Sequence, residues 1–129
     1  DISPVGLAMC METAEARGVS MTTMACDLAV WEPEEASADV ICCVSYHYPE
    51  LPDRVRTALR PGGHVLYESF SIDHLQFEGG PRDPDWLIDP DKLLESFSDC
   101  RVRRFEDRVI TDEGFIRARV RLHAELPSG

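Results

Sequence analysis

The strongest strand signal in the chain is the apolar run Val40, Ile41, Cys42, Cys43 and Val44, bounded by Asp39 and Ser45. A continuous run of that length predicts a parallel strand buried on both faces. Shorter runs at 21–25, closed by Cys26 and Asp27, and at 65–70 read as two further strands. Helical spacing takes over between them. Leu51, Val55 and Leu59 share one stripe, which predicts a helix over 51–59. It has to stop at Arg60, because Pro61 follows and Gly62-Gly63 turns the chain. Near the start, Ser3 suits an N-cap, Pro4 the first helical position and Gly18 the position just past the end. The helix between them, carrying Val5, Ala8, Met9, Glu12 and Ala16, is moderately amphipathic. Asp89 caps a short helix from Pro90, with Leu93, Leu94 and Phe97 apolar.

The last thirty residues are patterned differently. Runs at 101–110 and 115–126 are strand-like, and Thr111-Asp112-Glu113-Gly114 between them is a good hairpin loop. Ile116, Ala118, Val120 and Leu122 alternate with Arg117, Arg119, Arg121 and His123, which predicts one buried and one solvated face. Residues 32–37 form an acidic loop, and 71–89 a long polar loop suited to a lid, holding Gly79-Gly80-Pro81 and Pro84. The order α-β-β-α-β-α-β-β predicts a single α/β domain over 1–129, mostly parallel with an antiparallel terminal hairpin.

Composition narrows the function. The 129 residues are 43% hydrophobic and 29% charged, ordinary for one globular domain. A net charge of −11 argues against nucleic acid or an anionic membrane surface as the partner. No apolar run approaches the roughly 20 residues of a membrane-spanning helix, and the first residues lack a signal-peptide pattern. Five cysteines, Cys10, Cys26, Cys42, Cys43 and Cys100, lack CxxC spacing, which reads as reduced thiols in a cytoplasmic protein. Cys42 and Cys43 are adjacent on a strand and point to opposite faces, so they cannot chelate one metal ion; both are expected to be buried. No metal is expected.

Ligands of an open parallel sheet bind beyond the carboxyl ends of its strands. That rule selects Asp1, the segment 26–29, the segment 45–50 and the segment 68–73. Several of these segments carry a resemblance. Asp1-Ile2-Ser3-Pro4 before a helix, Ala25-Cys26-Asp27-Leu28, the run 38–44, and Ala58-Leu59-Arg60-Pro61-Gly62-Gly63 leading into a strand resemble successive motifs of the class I S-adenosylmethionine-dependent methyltransferases. The terminal hairpin is a further likeness. Gly79-Gly80-Pro81-Arg82-Asp83-Pro84, followed by Leu93 and Leu94, is similar to the tellurite-resistance-type branch. The resemblance implies a Rossmann-like sheet and S-adenosylmethionine as cofactor. It implies that Asp1, with Ile2, takes the ribose hydroxyls and that Asp27, with the Leu28 N–H, meets the adenine. It also places Val44 and Ser45 beside the methionine portion. His47 is the best candidate base, flanked by Tyr46 and Tyr48. Glu68, Arg82 and Trp86 are candidates to touch a small-molecule acceptor.

The family's glycine-rich first loop has no counterpart, since no two glycines are spaced GxG. The chain therefore reads as the carboxyl-terminal two-thirds of such a domain, lacking its first strand. On that reading the edge of the strand at 40–44 is left open to self-association, and the piece alone is expected to be inactive. A nicotinamide-dependent oxidoreductase is the alternative, because an acidic residue after the second strand serves both folds. A loop as short as 111–114 cannot hold the crossover helix that a further parallel strand requires.

Overall fold

A computed structural model describes residues 1–129, and the chain divides into two compact units, Asp1–Glu32 and Pro33–Gly129. In the first unit, α1 (Pro4–Ala16) begins where the Ser3 hydroxyl accepts the Gly6 N–H at 3.0 Å. It ends at Gly18, which takes a left-handed φ of +66°. Ala14 is its one buried residue, so little amphipathic character is realised. The run at 21–25 is not a strand. Two bonds, from the Cys26 N–H to the Asp1 carbonyl and from the Asp1 amino group to the Met24 carbonyl, join its end to the start of the chain, and a strand needs a longer partner. A 3₁₀ turn at Leu28–Val30 follows, capped by Asp27.

The second unit holds β1 (Ala38–Val44), α2 (Leu51–Ala58), β2 (Leu59–Phe70), α3 (Pro90–Ser96), β3 (Arg101–Asp112) and β4 (Phe115–Glu125). The sheet order is β1-β2-β4-β3, with β1 and β2 parallel and the other two pairings antiparallel. Helix α2 is the crossover that the parallel pair demands. The hairpin turn is tighter than expected. Asp112 pairs with Phe115, leaving only Glu113 and Gly114, both at positive φ, as a type I′ turn suited to strand twist.

Strand β2 starts earlier than the Pro-Gly-Gly pattern suggests. The segment 60–63 is absorbed as a kink: the register jumps from Ala38↔Leu59 to Val40↔His64. A Cβ on Gly63 would stand 2.8 Å from the Arg60 carbonyl oxygen and 3.1 Å from that of Asp39, so only glycine lets the strands close there.

One face of the sheet, with Val65, Tyr67, Val120, Leu122 and Ala124, forms a core with Leu51, Val55 and Ala58 of α2 and Leu93 of α3, and with Phe97 just after it. The opposite face is largely bare. Val40 and Val44 are 60% and 61% exposed, and Cys42 is exposed too, so β1 is not buried on both sides. Its alternating burial reflects a sheet whose own helices cover a single face. Truncating Phe97 to Ala is expected to cost about 3–5 kcal/mol of stability. Urea denaturation monitored by circular dichroism measures this, and a loss below about 1 kcal/mol would show that this core is not the stabilising one.

Candidate functional site

The carboxyl ends of β1 and β2 bring together a left-handed turn, a buried arginine and a histidine. At Ser45 the chain leaves β1 with φ +57°, a left-handed conformation that costs a serine on the order of 1–2 kcal/mol. Its N–H still donates to the Glu68 carbonyl at 2.7 Å, as the next rung of the parallel ladder. Its hydroxyl accepts from Arg119 Nη2 at 3.0 Å.

Arg119 corrects the expectation of a fully solvated arginine face. Its side chain is 10% exposed. Nε donates to Glu68 Oε1 at 3.1 Å, and the guanidinium lies 4.7 Å from the centre of the Phe70 ring. Glu68 also lies 3.0 Å from Arg121 Nε. One strand further, hydrogen bonding from Arg104 holds the Glu106 carboxyl below the usual carboxylate range. The period-two pattern was right about which residues share this face, although Ile116 on the other face is exposed; a cross-strand carboxylate drew Arg119 inward and left Arg117 outside.

His47 lies on the other side of this turn. Its Nδ1 is 2.7 Å from the hydroxyl of Tyr67, which is 1% exposed. Burial pushes the Tyr67 hydroxyl far above its ordinary range, so it stays a neutral phenol in this hydrogen bond. Burial also lowers the His47 pKa to about 4, so the ring is neutral at pH 7 and a weak base. Tyr48 is buried, with its hydroxyl accepting from Arg54 at 2.9 Å, whereas Tyr46 stands exposed against its ring edge.

His47 lines a cavity of about 500 Å³ together with Pro52, Ile72, Leu87 and Leu93. Four carboxylates, Asp53, Asp85, Asp89 and Glu95, share the lining with one lysine, Lys92. Arg82 and Trp86 are not among the lining residues. The Arg82 guanidinium donates to the Phe77, Gly79 and Leu75 carbonyls at 2.6, 3.1 and 3.0 Å, and Trp86 is 58% exposed.

The 71–89 loop is strapped down rather than poised as a lid. Ile88 N–H donates to Phe70 and Ile72 N–H to Ile88, each at 2.9 Å. Buried His74 accepts the Ala118 N–H on Nδ1 and donates from Nε2 to the Gly79 carbonyl. The sequence offered no signal for His74, Tyr67 or Arg119 as tethers, since each acts on a partner at least twenty residues away.

In the first unit, Asp1 accepts the Ser3 N–H and Asp27 the Ala29 N–H, each at 2.9 Å through one carboxylate oxygen. A carboxylate offers several acceptor positions, so one such bond does not exhaust its capacity to accept from a hydroxyl or amino group. Asp39 pairs with Arg60 at 3.1 Å, a contact that closes the strand entry.

No protein-family model matches the chain, and no curated protein does. Solved structures do. TehB from Haemophilus influenzae superposes with a TM-score of 0.73 at 16% identity, over 97% of this chain and 48% of that one. The chain thus spans about half the length of that protein. An S-adenosylmethionine-dependent methyltransferase from Mesorhizobium loti gives 0.66 at 20% identity, over 97% and 77%. The [4+2]-cyclase SpnF gives 0.70 at 14%, over 99% and 64%. The chain has the fold of the S-adenosylmethionine-dependent methyltransferases, with the terminal hairpin antiparallel as expected. SpnF is a reminder that a fold does not fix a reaction.

The half-buried imidazole gives this site a pH signature. The unfolded chain protonates His47 near its ordinary 6.5, whereas the folded chain resists until about 4. The residue's contribution to stability is therefore complete above about pH 6.5 and is lost progressively as pH falls toward 4. Urea midpoints measured across that window are expected to fall more steeply for the parent protein than for His47→Gln. Equal slopes would refute a His47 that folding keeps neutral.

Proposed function

We propose that the protein transfers a methyl group from S-adenosylmethionine to a small-molecule acceptor. The strand order β1-β2-β4-β3 carries this reading: a parallel pair followed by a two-residue hairpin that returns antiparallel. A nicotinamide-dependent oxidoreductase would call for a further parallel strand there, which this turn cannot deliver. When bound, the cofactor supplies an electrophilic methyl on a sulfonium.

The residues proposed to hold it are Asp1 with Ile2 at the ribose, Asp27 with Leu28 at the adenine, and Val44 with Ser45 at the methionine portion. The chain's main task is then orientation, because holding two reacting atoms in line accelerates a displacement without further chemistry. His47, neutral at pH 7 with its pKa lowered to about 4, is suited to hydrogen-bond an acceptor and poorly suited to remove a proton from it. Exposed Tyr46 could line the approach, while Tyr48 serves through packing.

Charge bears on the acceptor. Four carboxylates against one lysine disfavour an oxyanion or an organic acid in the cavity, and favour an amine or another cationic nucleophile with an apolar portion. Glu68 and Arg82 are committed to arginines and carbonyls respectively, which leaves Trp86 as the freest of the three expected substrate contacts.

The five unpaired cysteines support a reducing, cytoplasmic setting, and no helix is long and apolar enough to cross a membrane. Self-association through β1 is a second reading, favoured by its place at the sheet edge and by exposed Val40 and Val44. Sedimentation velocity separates the two: a dimer that Val44→Lys dissolves supports the edge contact, and a monomer excludes it.

Titration calorimetry with S-adenosylhomocysteine tests the cofactor. The intact protein is expected to bind it, and Asp27→Ala to weaken binding by at least about tenfold, or 1.4 kcal/mol. Unchanged affinity in the variant would remove Asp27 from the site. Failure of the parent to bind would overturn the methyl-transfer reading.

A further inference from the structure

Arg119 is costly where it stands. A guanidinium reduced to 10% exposure loses most of its hydration and has to recover it from fixed partners. It has three: Glu68 Oε1 at 3.1 Å, the Phe70 ring at 4.7 Å and the Ser45 hydroxyl at 3.0 Å. The first two lie on the neighbouring strand, diagonally and directly across from it respectively. The third lies two strands away, at the one residue of that edge with positive φ. No rule of sheet packing requires an arginine to reach that far.

The backbone at Ser45 supplies a reason. Serine disfavours φ +57°, so the turn persists only where its surroundings hold it. Had Ser45 continued in extended geometry, the chain would run on past Glu68 instead of bending to bring Tyr46–Tyr48 over the sheet end. The bend is fastened from both faces. Arg119 grips the Ser45 hydroxyl on the bare face, and Tyr67 holds His47 Nδ1 on the core face. A planar guanidinium can bridge a carboxylate and a hydroxyl at once, whereas an ammonium is a single point of charge.

We infer that Arg119 is a positioning residue: it clamps the Ser45 turn and thereby sets where His47 stands in the cavity. Its consequence for catalysis rests on the methyl-transfer reading, but the clamp itself does not. Amide hydrogen exchange on the intact protein tests it, comparing the parent with Arg119→Lys, Arg119→Ala and Ser45→Ala. Each substitution is expected to speed exchange of the amides at 45–48 at least tenfold. Amides at 65–67 in β2 and the urea midpoint of Arg119→Lys should stay unchanged. Adding Ser45→Ala to Arg119→Ala should bring no further increase.

Unaltered exchange at 45–48 overturns the clamp. So does an increase spread evenly over the sheet, which would make Arg119 merely structural. Should Arg119→Ala fail to fold, Ser45→Ala carries the test alone, since it leaves the Arg119–Glu68 pair in place. S-adenosylhomocysteine affinity is measured on the same samples. Local loosening with weakened binding supports the full inference, and local loosening with intact binding overturns its catalytic consequence. A parent protein that binds no S-adenosylhomocysteine, yet loosens locally in the variants, keeps the clamp and discards the methyl-transfer reading.

Discussion

Two adjacent strands running the same way cannot be joined by a tight turn, so the chain between β1 and β2 must climb back along the sheet as a helix. That requirement places α2 on one face, aligns Val40–Val44 with His64–Glu68, and brings both strand ends out at the same edge. Ser45, His47 and the cavity owe their proximity to this pairing. The kink at 60–63 is its local cost. Without Gly63, the backbone could not approach Asp39 closely enough for the register to recover by His64.

Much of this was legible wherever short-range chemistry decides the outcome. Ser3-Pro4 and Asp89-Pro90 set helix starts that the structure reproduces as side-chain caps. The apolar run at 40–44 set a strand, and the alternation from Ala118 to Leu122 set the buried face of β4. What could not be read is where a local preference meets a distant partner. Five apolar residues in a row look the same whether one or both faces are covered, so the exposure of Val40 and Val44 left no trace in the pattern. The run at 21–25 had suitable composition and no ladder to join. Arg119 sits in perfect alternation with its neighbours, and only Glu68, fifty-one positions earlier, turns it inward. Of the site, the segment 45–50 was found by the strand-end rule, whereas Tyr67 was hidden as an ordinary strand aromatic.

Charge is unevenly shared along the chain. The hairpin at 101–125 holds seven of the thirteen basic residues and five of the twenty-four acidic ones, +2 in all, so the other residues carry −13. The hairpin arginines are largely consumed by Glu68, Glu106 and Glu125 on the sheet. The uncompensated negative charge therefore belongs to the loops and helices, the cavity walls among them. Over a screening length of about 8 Å at physiological salt, such a field gathers cations at the sheet end and repels anions.

The two-residue turn between β3 and β4 also governs the order of events in time. Partners across Glu113-Gly114 are neighbours in sequence, so this ladder closes with little loss of chain entropy, on the microsecond scale of isolated hairpins. Tyr67 and Leu122, by contrast, meet across more than fifty residues. Until β2 docks, the row from Ala118 to Ala124 has nothing to bury itself against, and a lone two-stranded ribbon is marginal in water. The slow event in assembling this sheet is then expected to be the capture of the β3–β4 hairpin by β2. Arg119, carried on that hairpin, reaches Ser45 only when the last long loop has closed.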